Sequence, residues 1–459
     1  DMSKVHDVLI IGGGPAGVIA GIGIAKEGYD VVIIDKKERG NIGKKNCGDA
    51  LDTKHTNILF EELGIELPNL NNGEVRSEVS KITIASKSLD TKLTASAPAY
   101  QVDRLKYGQT LLETAEKNGV KIWDQCTVRG IIIENNYIKG VNYFNQDGER
   151  KTILAKITID ASGFIGVMRK DIPKSMSNGV NLSFPKKWTV GSYREIVQFK
   201  DGKNHKFQNE IVLLYHKKIK PPGYAWIFTE GKDKLNLGIT WVKDIKYPEG
   251  KSMKKIYSEI LGEYFNPEDY IILDKGGGNI PGMPNFDTLV VNGGMIVGDA
   301  GGLADPTTFE GHGPALESGR LAAIVAVDAL KEEDYSNEKL WKYNKLIMNY
   351  PGSMHAQSFL VAKFIREMGV ENFSYLLGKN IVTEDFMNKV FREKQKISFI
   401  MALSIIGKSF PKWNILLKLL KIYFRVQKIG KIYIEDYPEN PLLLNDWRLK
   451  RNKVIGENF

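Results

Sequence analysis

The sequence predicts an α/β fold, shading into α+β, that gives way to a helical C-terminal region. Three observations carry that expectation. The first 35 residues hold an apolar run, a glycine-rich turn and a second apolar run. Between Gly130 and Asp160, short alternating runs are separated by Asn135-Asn136 and Asp147-Gly148, which are turn signals. After about Asp334 the chain reads as helices with apolar faces and no further glycine loop. With 459 residues, 42% of them apolar and 26% charged, two or three domains are expected. The expected boundaries are 1–175 with 275–330 for a discontinuous nucleotide-binding unit carrying a strand insertion near 75–100, 176–274 for an antiparallel-sheet domain, and 331–459 for a helical domain.

Val8 to Ile11 reads as a strand that enters Gly12-Gly13-Gly14-Pro15-Ala16-Gly17. Gly12 permits the tight turn, Gly14 lets the backbone approach a pyrophosphate, and Gly17 with Gly21 lets the following helix lie close on the sheet. The unpaired N–H groups at that helix start favour an anion. Asp35 ends the next strand, 23 positions after Gly12, where an acid accepts hydrogen bonds from a ribose. Strand, turn, helix and acid together point to dinucleotide binding.

Lys44-Lys45-Asn46-Cys47-Gly48-Asp49-Ala50 is a small-residue loop expected near the cofactor. A helix is expected from Leu105 to Lys117, just after Arg104, and a strand from Val120 to Trp123. The hairpin strands close at Asp160-Ala161-Ser162-Gly163. From Gly179 to Val242 the chain is strand-like and aromatic; alternation puts Tyr224, Trp226 and Phe228 on one face, as core or as the wall of a pocket. Gly276-Gly277-Gly278 reads as a turn, because Pro281 and Pro284 forbid the helix that a second dinucleotide loop must open. The chain then lacks a dedicated nicotinamide domain. Met295 to Val297 reads as a buried strand ending in Gly298-Asp299, followed by a loop through His312 and a helix starting at Pro314.

The net charge of +9 is concentrated between Lys394 and Lys431, which hold nine Lys or Arg and no acid. A localised charge without a recognition motif argues against nucleic-acid binding. Ile397–Ile406 is apolar, and in Trp413–Arg425 basic positions interrupt an apolar series. That series suits either a helix lying on an anionic membrane surface or a core-packing helix with a solvated basic face. No window approaches the roughly 20 apolar residues of a membrane span. Two cysteines, Cys47 and Cys126, without a CxxC pair or His-rich tract, argue against a metal site and exclude a disulfide framework. A cytoplasmic location, with contact at the membrane face through 394–431, is the expectation.

The glycine turn with Asp35, the Asp160–Gly163 motif, and Gly298-Asp299 with its Pro306–Gly313 loop together resemble the p-hydroxybenzoate hydroxylase superfamily of FAD enzymes. The chain is more closely similar to the geranylgeranyl reductase family, on Lys44–Gly48, Tyr193-Arg194-Glu195 and Tyr224-Ala225-Trp226-Ile227-Phe228. Thr229 stands where that strand motif usually has proline, and Phe309-Glu310-Gly311-His312 replaces a glycine-richer loop. The resemblance implies a Rossmann-type FAD-binding domain. Gly12, Gly14, Pro15, Ala16, Gly17, Asp35 and Lys36 would hold the ADP half of FAD. Cys47, Gly48, Ala50, Arg104, Asp160, Gly163, Gly298, Asp299, Gly311, His312 and Gly313 would line the rest, with the following helix start facing the flavin pyrimidine. It implies a substrate slot made by Tyr193, Tyr224, Trp226, Phe228 and Phe309, and Cys47 and His312 as candidate catalytic residues. The implied activity is saturation of isoprenoid C=C bonds of geranylgeranyl lipids by hydride plus a proton, with NAD(P)H or a ferredoxin-like protein as electron donor. A monooxygenase of the same superfamily and a reductase of a prenylated quinone side chain are the alternatives.

Overall fold

The computed structural model describes residues 4–385 and 412–458, so Ile397–Ile406 and Lys394, Lys396 and Lys408 lie outside the described residues. In chain order the first strands are β1 Val5–Ile11, β2 Val31–Ile34, β3 Ala50–Asp52, β4 Val75–Ser86, β5 Ser88–Val102 and β6 Lys121–Trp123. They are followed by β7 Thr127–Glu134, β8 Tyr137–Phe144, β9 Arg150–Asp160, β10 Thr189–Phe199 and β11 Glu210–Tyr215. The last are β12 Ala225–Thr229, β13 Lys234–Val242, β14 Tyr270–Pro281, β15 Val290–Val291 and β16 Gly294–Ile296. The helices are α1 Pro15–Lys26, α2 Thr53–Leu63, α3 Arg104–Lys117, α4 Met253–Leu261, α5 His312–Glu332, α6 Asn337–Ile347, α7 Ser353–Gly378, α8 Trp413–Glu435 and α9 Leu444–Ile455.

Two sheets organise the molecule. The first runs β15-β16-β9-β1-β2-β6, with the β7–β8 hairpin attached through β9. Its centre is parallel, and Ile10 lies between Ile33 of β2 and Ile159 of β9. Strands buried on both faces read as continuous apolar runs, and Val8, Leu9, Ile10, Val32 and Ile33 are all fully buried. α1 crosses close over this sheet because a side chain on Gly17 would lie 2.2 Å from the Gly12 carbonyl oxygen. α5 packs equally close to α1, with Gly319 against Ala16.

The second sheet runs β14-β10-β13-β12-β11-β4-β5-β3. It is a mixed sheet, antiparallel except for the parallel β11–β4 pair. It also takes in β3, β4, β5 and β14, which the expected boundaries place wholly or partly in the nucleotide-binding unit. One face packs α4 through Ile256, Ile260 and Leu261; the other packs α7 through Ile365, Phe373 and Leu377.

The expected turn at Gly276–Gly282 is instead the end of β14, in register with β10 from Thr189↔Pro281 to Phe199↔Tyr270. β14 is an edge strand and Pro281 is its last residue, so the missing N–H costs no interior ladder bond. α5 starts at His312, two residues before the expected Pro314. α8 and α9 pack on the body, with Trp447 Nε1 donating to the Ile432 carbonyl and Arg451 and Arg448 paired with buried Asp287.

Candidate active site

Three glycine-bearing turns converge at the C-terminal edge of the first sheet. At Gly12, φ is +104° and a side chain would sit 2.5 Å from the Ala161 carbonyl oxygen, so only glycine fits. α1 starts at Pro15 with Gly14 as its cap and no side chain on its free N–H groups; a Cβ on Gly14 would meet nothing within 4 Å. Asp35 directly follows β2, its carboxylate accepting the Gly13 and Lys37 N–H groups, each at 2.8 Å, while Lys36 beside it is exposed. Gly298-Asp299 forms the second turn, and the Asp299 carboxylate meets Lys45 Nζ at 2.7 Å. Gly311–Gly313 forms the third, where Gly311 caps α5 without a side-chain hydrogen bond and a Cβ on it would lie 3.0 Å from Asp299 Oδ1.

Between α1 and α3 these turns border a cleft lined by Gly13, Pro15, Arg104, Tyr107, Gly108 and His312. His312 is buried, its Nδ1 has no protein partner, and burial followed by the Arg104 and Lys45 charges holds its pKa well below the ordinary value. A neutral ring with one unused nitrogen therefore faces the cleft. Behind α5, a Cβ on Gly313 would be 2.4 Å from His55 Nδ1, a ring held by Asp52 at 2.6 Å and Tyr350 at 3.1 Å. Asp160 does not face the cleft: its buried carboxylate is taken by Ser162 N–H, Ser162 Oγ–H and Arg169 N–H. It organises the following loop, whose Gly163 has φ +73° and open space where a Cβ would stand.

The Cys47 loop spans from this cleft to the second sheet. Cys47 is half-buried; Arg104 Nη1 donates to its sulfur at 2.9 Å and the Asp49 N–H does so at 3.3 Å. Burial, with the Asp49 carboxyl next to it, pushes the Cys47 thiol up to about 11 despite Arg104, so the sulfur carries a proton at neutral pH. Gly48 is pressed under Phe228, where a Cβ would be 2.5 Å from the ring. Phe228, Trp226 and Tyr224 share one face with Phe309, Leu213, Ile365 and Phe373, forming a continuous apolar wall. Trp226 lies over Gly238 and donates to Asn236 Oδ1 at 2.9 Å; Tyr224 stacks on Phe309 with centroids 5.5 Å apart. Ala50, at the start of β3, packs at the edge of the same wall.

Tyr193 is not on that wall. Its ring packs edge-on against Tyr257 on the opposite face, and its hydroxyl donates to Glu195 at 2.6 Å. Strand alternation then turns Arg194 inward, where Nη2 meets Asn46 at 3.3 Å and Asp274 at 3.0 Å and Nε and Nη1 are buried without partners.

Residues 5–194 match the family model described as FAD binding domain, and residues 192–280 match the one described as Geranylgeranyl reductase catalytic domain. The second model spans the strands that carry the aromatic wall. By these two matches, which together run from residue 5 to residue 280, the chain is of the geranylgeranyl reductase type. It is 28% identical over 458 residues to a digeranylgeranylglycerophospholipid reductase of Sulfolobus acidocaldarius, covering 98% of each chain. To digeranylgeranylglycerophospholipid reductase 1 of Methanococcoides burtonii it is 27% identical over 420 residues, covering 90% of this chain and 95% of the relative. A geranylgeranyl bacteriochlorophyll reductase-like protein of Thermoplasma acidophilum shares the fold, with a TM-score of 0.75 at 22% identity over 92% of this chain and 99% of that one.

The reductase is an FAD-dependent oxidoreductase, and its cleft suits that cofactor. The uncapped N-terminus of α1, the open space in front of Gly14 and the unused His312 nitrogen are what a dinucleotide's anionic and polar groups require, whereas at the start of α5 the Glu310 carboxylate already accepts the Gly313 N–H at 2.8 Å. Sequence reasoning missed Asp49, Arg76, Gln101, Arg194, Glu230 and Asn236, which surround the Cys47 loop from four other strands and the turns between them. Asp49 stands in the singled-out loop and Arg194 beside Tyr193, so a signal existed for those two.

Proposed function

We propose that this reductase saturates the isolated C=C bonds of geranylgeranyl chains on archaeal-type glycerolipids, with the Cys47 thiol delivering the proton. The observation that carries the reading is the junction at Gly48: a protonated sulfur held by Arg104, itself a wall of the cofactor cleft, meets the aromatic wall at Phe228. Reduced FAD, when bound, supplies the hydride. Gly12, Gly14, Ala16 and Gly17 would hold its pyrophosphate, Asp35 its ribose, and Asp299, Gly311, His312 and Gly313 its flavin half. No carbonyl polarises an isolated double bond, so its reduction depends on a placed acid in a dry slot. The ring faces of Trp226 and Phe228 tolerate positive charge developing on a tertiary carbon. Arg104 compensates the charge left on sulfur once the proton has gone.

Among the described residues no helix is long and apolar enough to cross a membrane. α8 buries Ile415, Leu419, Ile422, Val426 and Ile429 against the body. It leaves Trp413, Leu417 and Phe424 exposed (45%, 68% and 67%) among exposed Lys418, Lys421, Lys428 and Lys431. An apolar ridge edged by lysines suits the surface of an anionic bilayer, where the lipid substrate resides.

Dithionite-reduced protein incubated with an unsaturated archaeal glycerolipid tests the reading by mass spectrometry. Successive gains of two mass units are expected. Unchanged lipid would overturn it, and gains of sixteen would establish an oxygenase instead.

A further inference from the structure

The Cys47 sulfur is embedded in a buried polar cluster larger than a thiol that merely packs would be given. Asp49 has φ +66°, a left-handed conformation that aspartate tolerates better than most residues, and this curls its carboxyl back over its own loop. Its Oδ1 lies 3.0 Å from Cys47 Sγ; its Oδ2 accepts Asn236 Nδ2 at 3.1 Å and faces Arg76 Nη1 at 3.8 Å. Asn236 also donates to the Cys47 carbonyl at 2.8 Å, which fixes the loop relative to β13. Arg76 continues outward to Glu230 at 2.8 Å and Asp103 at 2.9 Å, and Gln101 donates to Glu230 at 3.0 Å. Asp49 and Glu230 are buried, whereas Arg76 and Asp103 reach solvent at 29% and 20% exposure. A run of polar groups that branches at Arg76 therefore joins the sulfur to the surface.

We propose that Asp49 is a positioning residue that works as a carboxylic acid and reloads the Cys47 thiol after each proton delivery. This rests on the reading of Cys47 as the proton donor. With Asp49 ionised the thiol donates to its Oδ1; when Asp49 takes up a proton that bond reverses, its O–H donates to sulfur beside the Arg104 and Asp49 N–H groups, and the thiol's own hydrogen is released for the substrate. As the S–H bond breaks and a C–H bond forms, the Asp49 O–H proton moves to sulfur and restores the thiol. The carboxylate left behind is met by Asn236, Arg76, Arg104 and Arg194, and takes its next proton from water on the Arg76 and Glu230 side. The neighbouring groups act in both directions: Glu230 and ionised Cys47 favour the acid form, and Arg194, the hydrogen bond donated by the Cys47 thiol, Arg104 and Arg76 oppose it. Burial decides the balance and holds both Asp49 and Glu230 above the ordinary carboxyl range.

The test uses the purified FAD-loaded enzyme and Asp49→Asn. Without lipid, the pH dependence of Cys47 alkylation, followed on its own peptide to separate it from Cys126, reports thiolate formation. Removing the neighbouring carboxyl should lower the alkylation midpoint by about one pH unit or more. With lipid and excess dithionite, D49N should complete one bond reduction per enzyme within about threefold of the wild-type rate and then turn over at least tenfold more slowly. Glu230→Gln, which keeps an acceptor for Arg76, should move the alkaline limb of kcat to lower pH, because Asp49 then gives up its proton sooner. An unmoved alkylation midpoint, first and later turnovers slowed alike in D49N, or an unmoved alkaline limb in E230Q would overturn the role of Asp49. Wild-type reduction by Cys47→Ala would instead overturn the thiol reading on which it rests.

Discussion

Adding one methyl group at Gly48 should damage the enzyme in a way that a second substitution repairs. In Gly48→Ala the new carbon would stand 2.5 Å from Phe228 Cε2 and 2.8 Å from Cδ2, against the roughly 3.5–4.0 Å at which carbons rest. The overlap of about 1 Å cannot be relieved by a rotamer of alanine. Phe228 is 9% exposed and packed beside Trp226, so its ring has little room to retreat. Overpacking of this kind costs about 1–3 kcal/mol. Phe228→Leu, which removes the far edge of the ring, should cost about 1–2 kcal/mol alone through the space it leaves. Combined, the two changes should cost less than either sum predicts, with a favourable coupling of about 1–2 kcal/mol. Urea unfolding of the four proteins measures this, read from midpoints at unchanged slope. Costs that add within about 0.5 kcal/mol, or a G48A protein as stable as wild type, would refute the contact on which the junction of wall and loop depends.

Arg104→Met should weaken FAD binding and slow alkylation of Cys47 at a given pH, since the guanidinium now eases formation of the thiolate; a fluorescence titration and the alkylation profile check both. Burial opposes a charged His55, but the Asp52 hydrogen bond and charge outweigh it and raise the His55 pKa. Its contribution to stability should therefore be complete below the unfolded histidine value of about 6.5 and fade as pH rises through the folded one. Asp52 is held below its ordinary range by the same partner, so the gain should also decline at acid pH. Comparing wild type with His55→Gln across pH should show the largest difference between about pH 4 and 6.5, and a difference independent of pH would contradict the pair. Replacing Trp413, Leu417 and Phe424 with serine should abolish sedimentation with anionic vesicles while leaving melting behaviour nearly unchanged, because those side chains are on the outer face of α8.

The nucleotide end of the site was legible because its constraints are local. Gly12, Gly14 and Asp35 act within a short stretch of chain, and each leaves a residue-type signature at fixed spacing. The aromatic wall was legible in part. Alternation places Tyr224, Trp226 and Phe228 together, yet it does not say which of Tyr193 and Arg194 faces them; that parity is set by the pairing of β10 with β13, a contact across more than forty residues. Gly276–Pro281 misled for a different reason. Glycine and proline signal a break in an interior strand, but β14 is at an edge, and its glycine at 276 leaves room for Asn46, whose amide would lie 2.3 Å from a Cβ there. Arg76, Glu230 and Asn236 carry no local pattern, and only the assembled second sheet brings them to Asp49.

The loop from Lys44 to Asp49 lies on the covalent path from β2 of one sheet to β3 of the other: Lys45 holds Asp299 at the cleft, while Asn46 reaches Arg194 on β10. Both anchors immediately precede Cys47, so neither can shift without moving the sulfur that follows them. If the aromatic wall takes the lipid tail as proposed, repacking under Phe228 should also move the Cys47 loop and, through Lys45, Asp299. On that proposal, changes on the α7 side, at Ile365 and Phe373, which pack against the same wall, should alter tail preference with the least effect on the Cys47 loop.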